Sequence, residues 1–226
     1  VTPGLTQGGA SVELDEELAD ALPERVEKPD RLEVIRQDAV TFDYSSVALR
    51  AGGPLRVVGN LPFNAAAAIL RQALDHAAHL ERAVFMFQKE VGLRLVASPS
   101  TRAYGLLTVV TRARARVTRL FDVAPGSFRP VPKVAASVVR FDPRQGLAPC
   151  CLAHHDRFAK QVFAHRRKTL RNGLKGAPWP ADALADALAA EGIRPQQRAE
   201  TLSPETFERM AVALCRVDGT HVSGDD

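Results

Sequence analysis

The sequence predicts an α/β fold, a parallel sheet flanked by helices and followed by a small all-helical part. Two observations carry this. Through the first two thirds of the chain, short apolar runs rich in β-branched residues alternate with stretches of helical periodicity, the pattern of βαβ units. After Asp142-Pro143-Arg144-Gln145-Gly146 the strand signal stops and only helical periodicity continues. The boundary therefore falls near residue 145, dividing the chain into 1–145 and 146–226. The 226 residues are 46% hydrophobic and 25% charged, which excludes wholesale disorder and leaves enough chain to bury a sizeable core.

Taken in order, Ser11-Val12-Glu13 reads as the end of a strand, and Glu16–Val26 has helical spacing. Leu32–Ile35 is a second strand ending at Gln37-Asp38, and Leu55–Gly59 a third ending at Asn60. Ala65–Ala77 is helical, Ala83–Phe87 is a fourth strand, and Glu90–Ala97 is helical again. Thr108–Leu120 and Val134–Phe141 read as two further strands joined by the loop 125–132, without a long helix between them. In the last third, Phe158–Leu174, Ala181–Glu191 and Ser203–Cys215 are helices, the last opened by Ser203 with Pro204 at its first position. From Asp218 onward the chain is expected to fray.

Charge is unevenly distributed. Residues 1–50 hold 11 Asp/Glu and 5 Lys/Arg; the remaining 176 hold 25 basic and 15 acidic residues. The later part thus carries +10 against −6 at the start, which suits an anionic partner. No apolar run is long enough to span a membrane and no signal-peptide pattern opens the chain, so a cytoplasmic protein is expected. Cys150, Cys151 and Cys215 have neither a disulfide nor a metal-ligand spacing, and no metal is expected.

In an open parallel sheet, ligands bind beyond the carboxyl ends of the strands. Glu13, Asp38 and Asn60 stand there. An acidic residue after the second strand of such a sheet commonly holds a ribose diol, although Glu13, followed by Asp15, Glu16 and Glu17, also reads as a solvated charge near a helix start. Asn60-Leu61-Pro62-Phe63 is more specific. The lone pair of an exocyclic amine is delocalised into its ring, so the amine is a poor nucleophile. Acceptors aimed at its two protons, the Asn60 side-chain oxygen and a backbone carbonyl at Leu61 or Pro62, favour a tetrahedral nitrogen and free that pair. Phe63 offers a stacking face for the base. An ordinary strand-end turn above a core Phe would have the same four residues.

Two further signals follow. Phe128-Arg129-Pro130-Val131-Pro132-Lys133 is a stiff extended loop whose Phe either covers the second face of a ring or plugs the loop from beneath. Between Arg157 and Lys175 there are seven Lys/Arg and no Asp or Glu, a one-sided charge that favours phosphate contact. Arg112, Arg114 and Arg116, alternating along the strand expected at Thr108–Leu120, form a possible second basic stripe, open to RNA or to solvent alike.

These stretches together resemble the small-subunit ribosomal RNA adenine N6,N6-dimethyltransferases of the KsgA type. The matching segments are Val57-Val58-Gly59-Asn60-Leu61-Pro62-Phe63-Asn64, Phe87-Gln88-Lys89-Glu90-Val91, Arg102-Ala103-Tyr104-Gly105-Leu106-Leu107 and Phe128–Val134. In the helical part they are Arg166-Arg167-Lys168-Thr169-Leu170-Arg171-Asn172 and Arg198-Ala199-Glu200-Thr201-Leu202-Ser203. The resemblance spans about residues 10–215 and implies a Rossmann-like sheet dependent on S-adenosylmethionine (SAM). The implied reaction methylates N6 of two adjacent adenosines near the 3′ end of 16S RNA, with the small ribosomal subunit as partner and a monomeric enzyme. Carried over by position, Gly4 lies in the cofactor turn, Glu13 holds the SAM ribose, Asp38 with Ala39 holds its adenine, and Asn60 also belongs to the implied cofactor-binding set. Asn60, Leu61, Pro62 and Phe63 take the target base, with Phe128 on its other face. Lys133, Arg166, Arg167, Lys168 and Arg171 are the implied RNA contacts.

Three departures stand out. Phe63 replaces a frequent Tyr, and Ala135-Ala136-Ser137 replaces the usual Asp-Ser-Ala. Of the family's first strand, glycine-rich turn and helix, only Thr2-Pro3-Gly4-Leu5-Thr6 resembles the turn. Seven residues between Gly4 and Val12 are too few for a parallel crossover, so segments of that loop are expected to be missing, either as disordered stretches dropped from the numbering, with a chain break somewhere in residues 1–11 as the sign, or as a real deletion. Rival readings are a macrolide-resistance large-subunit RNA methyltransferase, whose tetrapeptide often has Ile second, and a DNA adenine methyltransferase, whose tetrapeptide normally has two prolines. A non-catalytic small-subunit assembly checkpoint factor is the rival of a different class.

Overall fold

The computed structural model describes residues 8–144 and 146–217. They divide into two compact units, residues 8–92 with 114–144, and residues 93–113 with 146–217. The chain thus passes between units near residues 92, 113 and 145. Only the last passage coincides with the change of pattern in the sequence; residues 93–113, read as part of the first domain, pack with the helical unit. Gly4 with the turn-like segment 2–6, and the tail from Asp218, lie outside the described residues, as does most of the segment where a chain break was expected.

In the first unit, β1 (Gly9–Glu13) pairs in parallel with β2 (Leu32–Arg36), Glu13 standing opposite Arg36. Between them α1 (Glu16–Ala21) is opened by Asp15, whose carboxylate accepts the Leu18 N–H at 3.0 Å. After β2 comes α2 (Tyr44–Ala51), a helix the periodicity does not reveal because Tyr44, Ser45, Ser46 and Val47 are indifferent helix formers. Its ends were the legible signal: Asp43 caps the Ser45 N–H at 2.9 Å, and Gly52 closes the helix at φ +72°. β3 (Leu55–Asn60) and β4 (Leu80–Gln88) are parallel, with α3 (Ala66–Asp75) between them. α3 buries Ala66, Ile69, Leu70, Ala73 and Leu74, a stripe at helical spacing.

β4 leads directly into α4 (Lys89–Leu95). β5 (Ala115–Val123) and β6 (Ala136–Pro143) form an antiparallel hairpin, and β6 also runs antiparallel to β4. The loop joining β5 to β6 holds no helix beyond one short turn, so a parallel crossover is out of reach and the strands reverse. The result is a four-stranded sheet in the order β3-β4-β6-β5 and a separate pair β1-β2. Among the described residues no ladder joins β1 to β3. The four-stranded sheet packs around Phe85, Phe87 and Phe141, whose rings meet pairwise at 6.0–6.4 Å.

The strand expected at Thr108–Leu120 is replaced by α5 (Leu106–Arg112) followed by β5. The β-branched run Thr108-Val109-Val110-Thr111 favours a strand locally, but burial of Thr108, Val109 and Thr111 on one helical face, and the Thr108 hydroxyl donating to the Arg94 carbonyl at 2.6 Å, decide otherwise. The basic stripe expected there dissolves with it. Arg112 lies on the helix, while Arg114 is 6% exposed and bonded to Asp75 at 3.1 Å. Of the three only Arg116 lies on the strand, together with Arg119, which pairs with Asp122.

In the second unit α6 (Pro149–Ala164) begins nine residues earlier than the periodicity predicts, with Pro149 at its first position. The expected single helix to Leu174 breaks at 165–169 and resumes as α7 (Leu170–Gly173). α8 (Ala181–Ala190) and α9 (Pro204–Val217) match the expected helices to within two residues. α6 and α9 pack through Phe158, Phe163 and Phe207, the last two stacked at 5.6 Å. No helix among the described residues is long and apolar enough to cross a membrane.

Candidate active site

In the first unit, Glu13 ends β1, Gln37-Asp38 follow β2, and Asn60 ends β3. β1 and β2 pair in parallel, so Glu13 and Asp38 stand at the same end of that pair, while Asn60 ends β3, which is parallel to β4. A cleft of about 1390 Å³ runs between β1 and β3, and Glu13, Asp38, Ala39, Asn60, Leu61 and Pro62 all line it. One oxygen of Glu13 accepts the N–H groups of Leu14 and Asp15 at 2.9 and 3.0 Å, which fixes the carboxylate while leaving its second oxygen available. Asp38 is held in the same way by the Val40 N–H at 2.8 Å. The cleft is larger than an ordinary small-molecule site because it extends from these strand ends down to Gly8, Arg31 and Pro54, along strand edges that pair with nothing described.

The tetrapeptide is a tight turn between β3 and α3. The Pro62 carbonyl accepts the Ala65 N–H at 3.0 Å, so the turn itself uses it. No hydrogen bond among the described residues engages the Leu61 carbonyl or the Asn60 side-chain amide. Of the two backbone acceptors the sequence left open, Leu61 is therefore the one at liberty. Leu61 itself is buried at 8% exposure, anchoring the turn, whereas Asn60 is exposed on the cleft. Gly59 permits this: a Cβ there would stand 2.9 Å from Leu61 Cδ2 and 3.1 Å from the Phe85 ring.

The two aromatic residues behave differently. Phe63 is 47% exposed and Phe128 half-buried behind the short helical turn Pro125–Ser127, and neither lines the cleft. Sequence reasoning missed Phe42, Tyr44 and Asn64, which do line it. Asn64 sits beside the tetrapeptide and was legible there, but Phe42 and Tyr44 precede an unrecognised helix. Their rings meet edge to face at 4.9 Å, and burial pushes the Tyr44 hydroxyl up to about 12, so it stays protonated.

Asp122 on β5 gathers Ser137 Oγ at 2.6 Å, Lys89 Nζ at 2.9 Å and Arg119 at 2.6 Å. The Ser137 hydroxyl, then Lys89 and Arg119, hold its carboxyl well below the ordinary value of 3.8. Its folded value lies below its unfolded one, so its stabilisation is complete at neutral pH and is lost as pH falls below that ordinary value. Asp122→Asn is accordingly expected to lower the denaturation midpoint at pH 7 and to converge on the wild type in acid. Guanidinium titrations at pH 7 and pH 3 check this, and an equal gap at both would show that the charge is not the cause.

In the helical unit, the segments singled out in the sequence form one knot. Arg166 Nε meets Glu200 at 3.0 Å while its Nη2 donates to the Thr101 and Arg102 carbonyls at 3.3 and 2.8 Å. Tyr104 Oη donates to the Leu202 carbonyl at 2.8 Å, and the Ser100 N–H to the Glu200 carbonyl at 2.8 Å. Arg166 is thus occupied in holding three segments together, a role its place in a basic run concealed. Arg157, Lys160, Arg167, Lys168, Arg171 and Lys175 are exposed, as is Lys133 in the first unit.

Parallel strand pairs flanked by helices, with Glu13, Asp38 and Asn60 after their carboxyl ends, are the arrangement of a Rossmann-like methyltransferase. The chain belongs to the ribosomal RNA adenine dimethylase family, whose model matches residues 8–214. It is 42% identical over 203 residues to ribosomal RNA small subunit methyltransferase A of Xanthomonas campestris, covering 88% of this chain and 74% of that protein. To the protein of the same name from Acidithiobacillus ferrooxidans it is 43% identical over 204 residues, covering 89% and 74%. Among solved structures, a dimethyladenosine transferase from Plasmodium falciparum superposes with a TM-score of 0.79 at 20% identity, covering 96% of this chain and 85% of that one. The 23S rRNA methyltransferase ErmE gives 0.65 at 24% identity, covering 92% and 82%. These two likenesses establish the fold.

Proposed function

We propose that this chain transfers methyl groups from SAM to N6 of two adjacent adenosines near the 3′ end of small-subunit ribosomal RNA, giving dimethyladenosines. The observation that carries the reading is the pair of unengaged acceptors, the Asn60 amide oxygen and the Leu61 carbonyl, on residues that line one cleft with Glu13 and Asp38.

The residues fit the nucleoside part of the cofactor. The second oxygen of Glu13 is free for a ribose diol, and Asp38, exposed and fixed by Val40, suits the adenine amine. Gly4, assigned to the cofactor turn, lies outside the described residues. Bound SAM supplies a sulfonium methyl. The chain's own part is to hold the target amine: the Asn60 amide oxygen and the Leu61 carbonyl accept hydrogen bonds from its two N–H groups, which favours a tetrahedral nitrogen with a free lone pair. SAM held by Glu13 and Asp38 would supply the methyl that this lone pair takes, with the displaced electron pair left on sulfur and the amine's proton passed to water. No strong general base is needed, because the aminopurine cation is acidic.

Phe63, exposed beside Asn60, is the residue for stacking on the base, and Phe128 is assigned its other face. The cations of the helical unit and Lys133 are assigned to RNA phosphates. Because Arg166 is bound within its own unit, the test replaces Arg167, Lys168 and Arg171 with Ala. This variant is expected to bind small subunits with a log–log salt slope shallower by about 2–3. Arg166→Ala is expected instead to lower thermal stability of the helical unit. An unaltered slope for the triple variant would put the RNA surface elsewhere.

The decisive experiment incubates the protein with labelled SAM and small subunits lacking the modification. Label in two adjacent adenosines supports the reading. Saturable subunit binding with no SAM binding in a separate titration would leave only the checkpoint role.

A further inference from the structure

The three cysteines of the sequence, 65 residues apart at the extremes, come together in the helical unit. Cys150 and Cys151 occupy the first turn of α6, and Cys215 the last turn of α9. Cys150 Sγ lies 3.9 Å from Cys151 Sγ and 3.2 Å from Cys215 Sγ, and all three sulfurs fall within 4.8 Å of one another.

A cysteine that serves only as a small apolar filler packs its sulfur against carbon. These sulfurs converge on one another instead, and two of the three belong to half-buried residues. With zinc–sulfur bonds of about 2.3 Å, tetrahedral geometry sets ligand sulfurs roughly 3.8 Å apart. The observed separations bracket that value, so only small side-chain rotations are needed to seat an ion.

We propose that Cys150, Cys151 and Cys215 form a three-thiolate site for Zn²⁺, with water in the fourth position. The ion clips the start of α6 to the end of α9, closing a 65-residue loop of chain. Neither the adjacent pair nor the distant cysteine announces such a site in the sequence; the packing of α6 on α9 makes it. The helical unit is thereby a metal-stapled body whose stability depends on zinc supply, independently of the methyl-transfer site.

The test uses the full chain, reduced with a phosphine and stripped by a chelator, with Co²⁺ as the spectroscopic stand-in for zinc. One equivalent of Co²⁺ is expected to produce a sulfur-to-cobalt charge-transfer band that one equivalent of Zn²⁺ abolishes, and Zn²⁺ is expected to raise the Tm. Cys151→Ser and Cys215→Ala should each weaken cobalt affinity by more than about 100-fold and remove the zinc-dependent rise in Tm. Cys151→Ser changes one half-buried atom and keeps the test open if Cys215→Ala does not fold. Absence of the band, or equal metal uptake by a variant lacking all three thiols, would overturn the proposal.

Discussion

Asn60→Ala is expected to lower turnover by about 10²–10³-fold, the usual effect of losing one preorganised hydrogen-bonding group at the reacting centre. SAM affinity should change little, because the cofactor's ribose and base are assigned to Glu13 and Asp38. Asn60 is exposed at the end of β3, and its amide bonds to nothing described, so its removal leaves no buried partner stranded. Fold and Tm should be those of the wild type. Single-turnover rates with saturating subunits, measured beside a SAM titration, separate the two effects. A rate within a fewfold of the wild type would remove Asn60 from the chemistry. A parallel loss of SAM affinity would assign it to the cofactor instead.

Gly92→Ala is expected to destabilise the first unit by about 2 kcal/mol. Alanine in place of glycine ordinarily stabilises a helix by about 1 kcal/mol. Here the added Cβ would stand 2.6 Å from Ser137 Cβ and 3.0 Å from its Oγ, with both residues buried. Overpacking of that kind costs up to about 3 kcal/mol, and it outweighs the helical gain. The push falls on the hydroxyl that donates to Asp122, so the ion cluster with Lys89 and Arg119 is disturbed as well. A fall in Tm of about 4–8 °C is expected. Gly126→Ala, where a Cβ meets open space, should leave Tm nearly unchanged and serves as the control. Equal Tm for Gly92→Ala and wild type would show that α4 moves off β6 at no cost.

These two residues also mark how far the chain could be read before its structure. Asn60 was legible because the chemistry needs a particular side chain at a strand end, and strand ends follow from local hydrophobic pattern. Gly92 gave no signal, since its reason lies in Ser137, 45 residues later. The same division separates the hits from the misses elsewhere. Strands β1 to β4 and helices α3, α8 and α9 were read within a few residues because apolar spacing and caps agree there. Thr108–Leu120 was misread because β-branched residues at its start are overruled by burial beside Tyr104 and by a bond to the Arg94 carbonyl. Arg166 was read as a phosphate contact because one-sided charge does not disclose which cation has a carboxylate 34 residues away.

What the sequence by itself determined is the α/β class, the strand ends that carry Glu13, Asp38 and Asn60, and the family, since each rests on short-range pattern or on motif identity. What only the tertiary structure decided is the allocation of residues 93–113 to the helical unit, the occupation of the Pro62 carbonyl that leaves Leu61 free, the binding of Arg166 to Glu200, and the meeting of three cysteines. Each of these depends on which distant groups share a space, and a hydrogen bond or a steric contact reaches only a few ångströms whatever the separation along the chain.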